Sequence, residues 1–100
     1  MFARVSSYTG ASDEIDEAIR QVRENMLPKL KQLGGYKGAY LLVDRQNGKS
    51  LAVTLWESEE AMSASEEAAD SLRSDVADAL GTQMVGVERY EVGVAAQEGG

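Results

Sequence analysis

The apolar positions of the chain change period several times, and each change marks an element. Phe2 to Thr9 alternates in character and ends at Gly10, which predicts a first strand. From Ser12 the period lengthens. Ile15, Ala18, Ile19, Val22, Met26, Leu30 and Leu33 recur at three- and four-residue steps, one stripe of a helix capped by Ser12 with Asp13 and Glu14 in its first turn. Pro28 interrupts the backbone ladder but not the stripe, so a kink near Glu24 to Pro28 is expected, and Gly34-Gly35 ends the helix.

Tyr36–Asp44 and Ser50–Glu57 are rich in strand formers and are separated by Arg-Gln-Asn-Gly-Lys, so they read as a hairpin in which Asn47-Gly48 supplies the positive φ values of a tight turn. Ser58 caps a second helix whose buried side runs through Ala61, Met62, Ser65, Ala68, Ala69, Leu72, Val76 and Leu80 up to Gly81. Ser63 to Glu66 matches a Ser-x-x-Glu capping box, which predicts a joint near Ser63 to Ser65. Thr82 to Val94 reads as the last strand. The expected organisation is one domain over residues 1–95 with a disordered tail at 96–100.

The order β-α-β-β-α-β is the ferredoxin-like arrangement of an α+β domain, a four-stranded antiparallel sheet with both helices on one face. If Val5, Ala39, Leu41, Val43, Leu51, Val53, Leu55, Val85 and Val87 point at the helices, alternation sends Phe2, Tyr8, Tyr36, Tyr40, Trp56 and Tyr90 to the other face. These are all the aromatic residues of the chain. With no third layer to cover them, a second copy of the sheet is the expected cover, hence a homodimer. In the last strand Val85 and Val87 conflict in parity with Tyr90, Val92 and Val94. Either a bulge near Glu88-Arg89 resets the alternation or the strand end pairs with the partner subunit.

Composition narrows the chemistry. The chain of 100 residues has a net charge of −7, which disfavours nucleic acid and anionic membrane surfaces as partners. No apolar run approaches a membrane span and no leader pattern opens the sequence, so a cytoplasmic location is expected. There is no Cys and no His, so no disulfide is expected, no metal of the zinc or copper type, and no Ser-His-Asp hydrolase. No cofactor is expected. Gly34, Gly35 and Gly38 follow a helix and open a strand, the reverse of a dinucleotide-binding loop. The carboxylates Glu59, Glu60, Glu66, Glu67 and Asp70 read as a solvated helix face.

Over nearly its whole length, the chain resembles the antibiotic biosynthesis monooxygenases, a family of dimeric α+β barrels. The resemblance rests on the element order, on the stretch from Gly34 to Ser65 with its Trp-Glu-Ser before an Ala-rich helix, and on Val-Glu-Arg-Tyr-Glu-Val from Val87 to Val92. It implies two facing sheets that enclose a cavity, an exchange of C-terminal strands between subunits, which favours the second of the two readings of the last strand, and a cofactor-independent monooxygenase acting on a small aromatic or quinone-type molecule. Haem degraders of that family share an Asn on the first strand, a Trp ending the third and a His on the next helix. Trp56 matches, but Ser6 and Ser7 occupy the first strand and no His exists, so haem degradation is rejected.

Arg4, Ser6, Thr54 and Glu88 share strand parity with the aromatic set. Arg4 is the candidate to hold a substrate anion and Glu88 the candidate general base, against the plainer alternative of an Arg4–Glu88 ion pair. Tyr40, Thr54, Trp56 and Tyr90 are the candidate ligand-binding residues, with packing as the alternative for the rings. A non-catalytic dimer that binds a small ligand, or is only structural, is the competing functional class.

Overall fold

The computed structural model describes residues 1–10, 12–80 and 83–96, and for residues 12, 73 and 75–80 the backbone alone. Strand β1 (Phe2–Thr9) leads through a 3₁₀ turn (Ser12–Glu14) into helix α1 (Ile15–Gln21), a π-helical turn (Val22–Met26) and helix α2 (Leu27–Leu30). Strands β2 (Tyr36–Asp44) and β3 (Lys49–Trp56) form the hairpin, α3 (Glu59–Ala64) and α4 (Glu66–Leu80) follow, and β4 (Gln83–Glu91) closes the sheet. All pairings are antiparallel, in the order β2-β3-β1-β4. The predicted fold class is the observed one. Among the described residues no helix is long and apolar enough to cross a membrane.

Pro28 acts where the sequence places it, by a particular device. Lacking an N–H, it cannot bond the carbonyl of Glu24. The chain answers with the wide turn of Val22–Met26 immediately upstream, so that Pro28 begins the next α-helical turn, where no N–H is required. The stripe therefore continues to Leu30. The helix stops there, earlier than the glycines, and loose turns carry the chain to Gly35, whose φ of 80° is open to glycine. A Cβ at that position would also collide with Ala61 on α3.

The hairpin turn differs from expectation. Gly48 has a φ of 65°, but among the described residues none other than glycine has positive φ, so Asn47 does not take the second left-handed position. Asp44 organises the turn instead. Its carboxylate accepts from the backbone N–H of Gln46 at 3.1 Å and of Asn47 at 3.2 Å, and from the Asn47 side-chain amide at 2.8 Å. Ser58 caps α3 by accepting from the N–H of Ala61 at 3.1 Å. The helical joint falls at Ser65, inside the expected interval. Of the expected buried side, Met62, Ser65 and Ala69 are buried, whereas Ala68 is exposed. The Ser12 side chain, those of Val76 and Leu80, Gly81 and the residues from 97 on fall outside what is described.

The two faces of the sheet correct the sequence reading. Register places Tyr36, Trp56 and Phe2 in one cross-strand row, Ala39, Thr54, Arg4 and Arg89 in the next, and Leu41, Ala52, Ser6 and Val87 in a third. These rows lie under the helices. Trp56 is 0 % exposed and centres a core with Met26, Leu30 and Met62, flanked by Phe2, Tyr36 and Leu72. The Tyr36 ring meets Trp56 edge-on with centroids 6.0 Å apart. Burying a ring of that size is worth on the order of 4–6 kcal/mol before entropy.

The opposite rows hold Gly38, Leu55, Ala3 and Tyr90; Tyr40, Val53, Val5 and Glu88; and Leu42, Leu51, Ser7 and Gly86. Val5, Leu51, Val53 and Leu55 thus turn away from the helices, and the aromatic set divides, with Tyr40 and Tyr90 alone on the open face. Two causes account for the error. Both faces are apolar, so alternation does not reveal which one meets the helices. An irregularity between Tyr36 and Gly38 also flips the parity of β2.

In β4 the register shifts opposite Ser7/Tyr8, at Val85, rather than near Glu88-Arg89. The strand stays with β1 of its own chain to Glu91, and the N–H of Val92 still donates to the Met1 carbonyl at 2.9 Å. Beyond it, Val94 is exposed.

Candidate functional site

A cavity of about 220 Å³ opens between the first helical segment and strands β2 and β3. It lies on the helix side of the sheet within one chain, not between two sheets as the sequence reading implied. Ile19, Val22, Met26, Leu27 and Leu30 supply its helical wall, and Ala39, Leu41, Ala52 and Thr54 much of its floor. Small residues on the floor leave the space that the wide turn above them frames. Val22, Arg23 and Met26 all belong to that turn.

Thr54 is the hydroxyl of the cavity, and its Oγ1 accepts a hydrogen bond from the Trp56 indole Nε1 at 3.0 Å. A separate pocket of about 20 Å³ shares Met26, Leu30, Ala52 and Thr54 as lining with the main cavity and is bounded also by Ser6 and Arg4. Arg4 is 1 % exposed. Its guanidinium donates to the Met62 carbonyl at 2.6 Å and to Ser65 Oγ at 3.1 Å, while Ser65 Oγ also donates to that carbonyl at 2.7 Å. Glu66 lies 3.4 Å from Arg4 and is shared with Arg89. The guanidinium also sits 5.6 Å from the centroid of the Trp56 ring.

Arg4 is therefore bound to the α3–α4 joint, at a helix C-terminus where carbonyls attract a cation. Its carboxylate partner is Glu66, not Glu88. The Arg4–Glu88 pair is excluded by geometry, since the two side chains leave the sheet on opposite faces. Glu66, read in the sequence as part of a solvated face, instead joins the helix to the sheet.

The remaining candidates divide likewise. Thr54 lines the cavity. Trp56 stands behind it as a buried support rather than a stacking surface. Tyr40 borders the cavity but is 51 % exposed and lies on the open face. Tyr90 is equally exposed there, and its hydroxyl donates to the Glu88 carboxylate, which holds the phenol above its ordinary pKa. Glu88 and Tyr90 thus form a pair remote from the cavity. Sequence reasoning missed Arg23, at the cavity mouth. The available signal was a charge four residues from both Ile19 and Leu27, on the flank of the apolar stripe.

The fold matches solved structures along its full length. A Deinococcus radiodurans protein assigned to the antibiotic biosynthesis monooxygenases superposes with a TM-score of 0.69 at 19% identity, covering 100% of both chains. The chain has the antibiotic biosynthesis monooxygenase fold. SnoaB, a cofactor-independent oxygenase of Streptomyces nogalater, shares this monooxygenase fold with a TM-score of 0.63 at 16% identity over 97% of both chains. So does the haem degrader MhuD of Mycobacterium tuberculosis, with a TM-score of 0.66 at 17% identity over 97% of this chain and 100% of that one. The fold is thus common to different chemistries. No family model matches the sequence. The uncharacterised protein Rv2557 of Mycobacterium tuberculosis is 37% identical over 92 residues, which are 92% of this chain and 41% of that protein. The chain spans about two fifths of the length of this curated relative.

Proposed function

We propose that the chain is a cofactor-independent monooxygenase that works as a homodimer. The observation that carries this reading is the apolar cavity between the wide helical turn and the sheet, with the Thr54 hydroxyl on its floor. Such a site suits a small planar aromatic or quinone-type molecule, held against apolar walls and oriented by one or two polar contacts. The fold shared with SnoaB supports the reaction type. An electron-rich phenol and molecular oxygen balance without a cofactor: one oxygen atom enters the ring to give a quinone, and the other leaves as water with the two hydrogens lost. The substrate supplies the electrons.

Dimerisation is proposed through the open face. Tyr40, Leu42 and Leu51 are exposed there, beside Val5, Val53 and Leu55, and a second copy of the same rows would cover them. That assembly leaves the two cavities on the outer, helical sides.

A second reading, a non-catalytic binding protein, is favoured by one observation. Arg4 is engaged at the helical joint and Glu88 lies on the other face, so among the described residues no carboxylate lines the cavity, and the chain has no imidazole. Oxygen uptake with purified protein and a panel of electron-rich polycyclic phenols, with and without a chelator, separates the two. Uptake that survives the chelator supports the oxygenase. Binding without uptake supports the binding protein, and a panel that neither binds nor reacts overturns both.

A further inference from the structure

Arg4, Arg20, Arg45 and Arg89 each face a carboxylate, at Glu66, at Glu17 and Glu24, at Asp16, and at Glu66 again. Arg23 does not. Among the described residues it makes no ion pair and no side-chain hydrogen bond, although the chain carries 17 acidic residues against 10 basic ones. Its place is not an arbitrary surface position. It is the charged residue that lines the cavity, set by the same π-helical turn that contributes Val22 and Met26 to the wall. Wide turns of this type recur at functional sites, where the shifted backbone re-aims one or two side chains.

Resting on the reading that the cavity takes a planar aromatic molecule, we propose that Arg23 is its specificity-determining residue and selects aromatic anions. The occupant is a small ring system of about two fused rings with a carboxylate or phenolate at one end. Its rings lie against Val22, Met26, Leu30 and the small residues of the sheet, and its anionic end stays at the mouth on the guanidinium. Two features support this occupant. The cavity, about 220 Å³, is smaller than the roughly 300–1,000 Å³ of pockets for larger ligands. Among the described residues the one full charge at its edge is positive and has no protein partner, so an incoming anion gains a charge-assisted hydrogen bond without displacing a described carboxylate. A neutral ligand of the same shape gains only the apolar contact.

The probes are naphthoate and naphthamide, which share their rings and differ in charge. Quenching of Trp56, the single tryptophan, whose indole bonds the cavity residue Thr54, reports binding. Naphthoate is expected to bind more tightly than naphthamide, with an advantage that shrinks as salt is added. Arg23→Gln should weaken naphthoate roughly fivefold, the scale of a partly exposed ion pair, and leave naphthamide unchanged. Arg23→Lys should retain part of the preference. Arg20→Gln removes the same charge from a residue that does not line the cavity and should have no effect. Equal affinity of the two probes for the wild type, or an unchanged naphthoate affinity in Arg23→Gln, would overturn the role of Arg23 and leave the cavity reading standing. Failure of both probes to bind would overturn the cavity reading and this inference with it.

Discussion

The guanidinium of Arg4, on the first strand, donates to the carbonyl oxygen of Met62 at 2.6 Å, joining positions 58 residues apart at the end of a helix. This bond ties the α3–α4 joint to the centre of the sheet. Arg4→Met should therefore lower stability by about 2 kcal/mol, because charge-assisted hydrogen bonds are lost while Glu66 keeps Arg89 and the Met62 carbonyl keeps Ser65. Urea denaturation followed at the single tryptophan measures it. A loss of turnover with no change in the unfolding midpoint would instead make Arg4 a substrate contact.

Leu51 lies on the open face one row beyond Val53, in register with both Leu42 and Ser7. The wild-type protein is expected to scatter light as twice the chain mass at micromolar concentration. Leu51→Glu should shift it towards a less stable monomer, since an unpaired carboxylate in a sheet-to-sheet contact costs several kcal/mol. An unchanged dimer would place the interface elsewhere.

Asp44 holds the β2–β3 turn through Gln46 and Asn47, and the side-chain amide of Asn47, followed by the backbone bonds, keeps its carboxyl below the usual pKa. The sign follows from that direction. The contribution is full above the ordinary carboxylate pKa and is lost as pH falls through the lowered folded value. Asp44→Ala should lower the thermal midpoint at neutral pH, and the gap to wild type should close as the solution is acidified. A gap independent of pH would show that the turn does not depend on the ionised form.

Gly35→Ala tests the approach of the loop to α3. It would force a side chain onto a φ of 80° and against Ala61, so a loss of at least about 2 kcal/mol is expected by chemical denaturation. A midpoint within experimental error of wild type would mean that the loop moves away from α3 without cost.

Element order and most strand limits were legible because they depend on local signals, the change of period at Ser12 and again at Tyr36, and the punctuation by Gly10, Pro28 and Gly48. The orientation of the sheet was not. It depends on which apolar face the helices choose, and Trp56 and Val53 are equally acceptable on either side until packing decides. The partnership of Arg4 with Met62, Ser65 and Glu66 was hidden for the same reason, since it joins elements some sixty residues apart. Thr54 was found by parity and kept its place in the cavity. Arg23 escaped because a charged residue beside an apolar stripe usually marks its solvated border.

The wide turn over Val22–Met26 also fixes how the gene for this chain can change length. A π-helical turn holds one residue more than an α-helical one, so removing one residue there would let it tighten to ordinary helix while Ile15 and Ile19 keep their direction relative to Leu27 and Leu30. What would be lost is the wide turn itself, which sets Val22, Arg23 and Met26 around the cavity and spares Pro28 a place inside a continuous α-helix. A single-codon deletion in this segment should thus keep the fold and reshape the cavity mouth, whereas point substitutions at its exposed positions Glu24 and Asn25 should leave both in place.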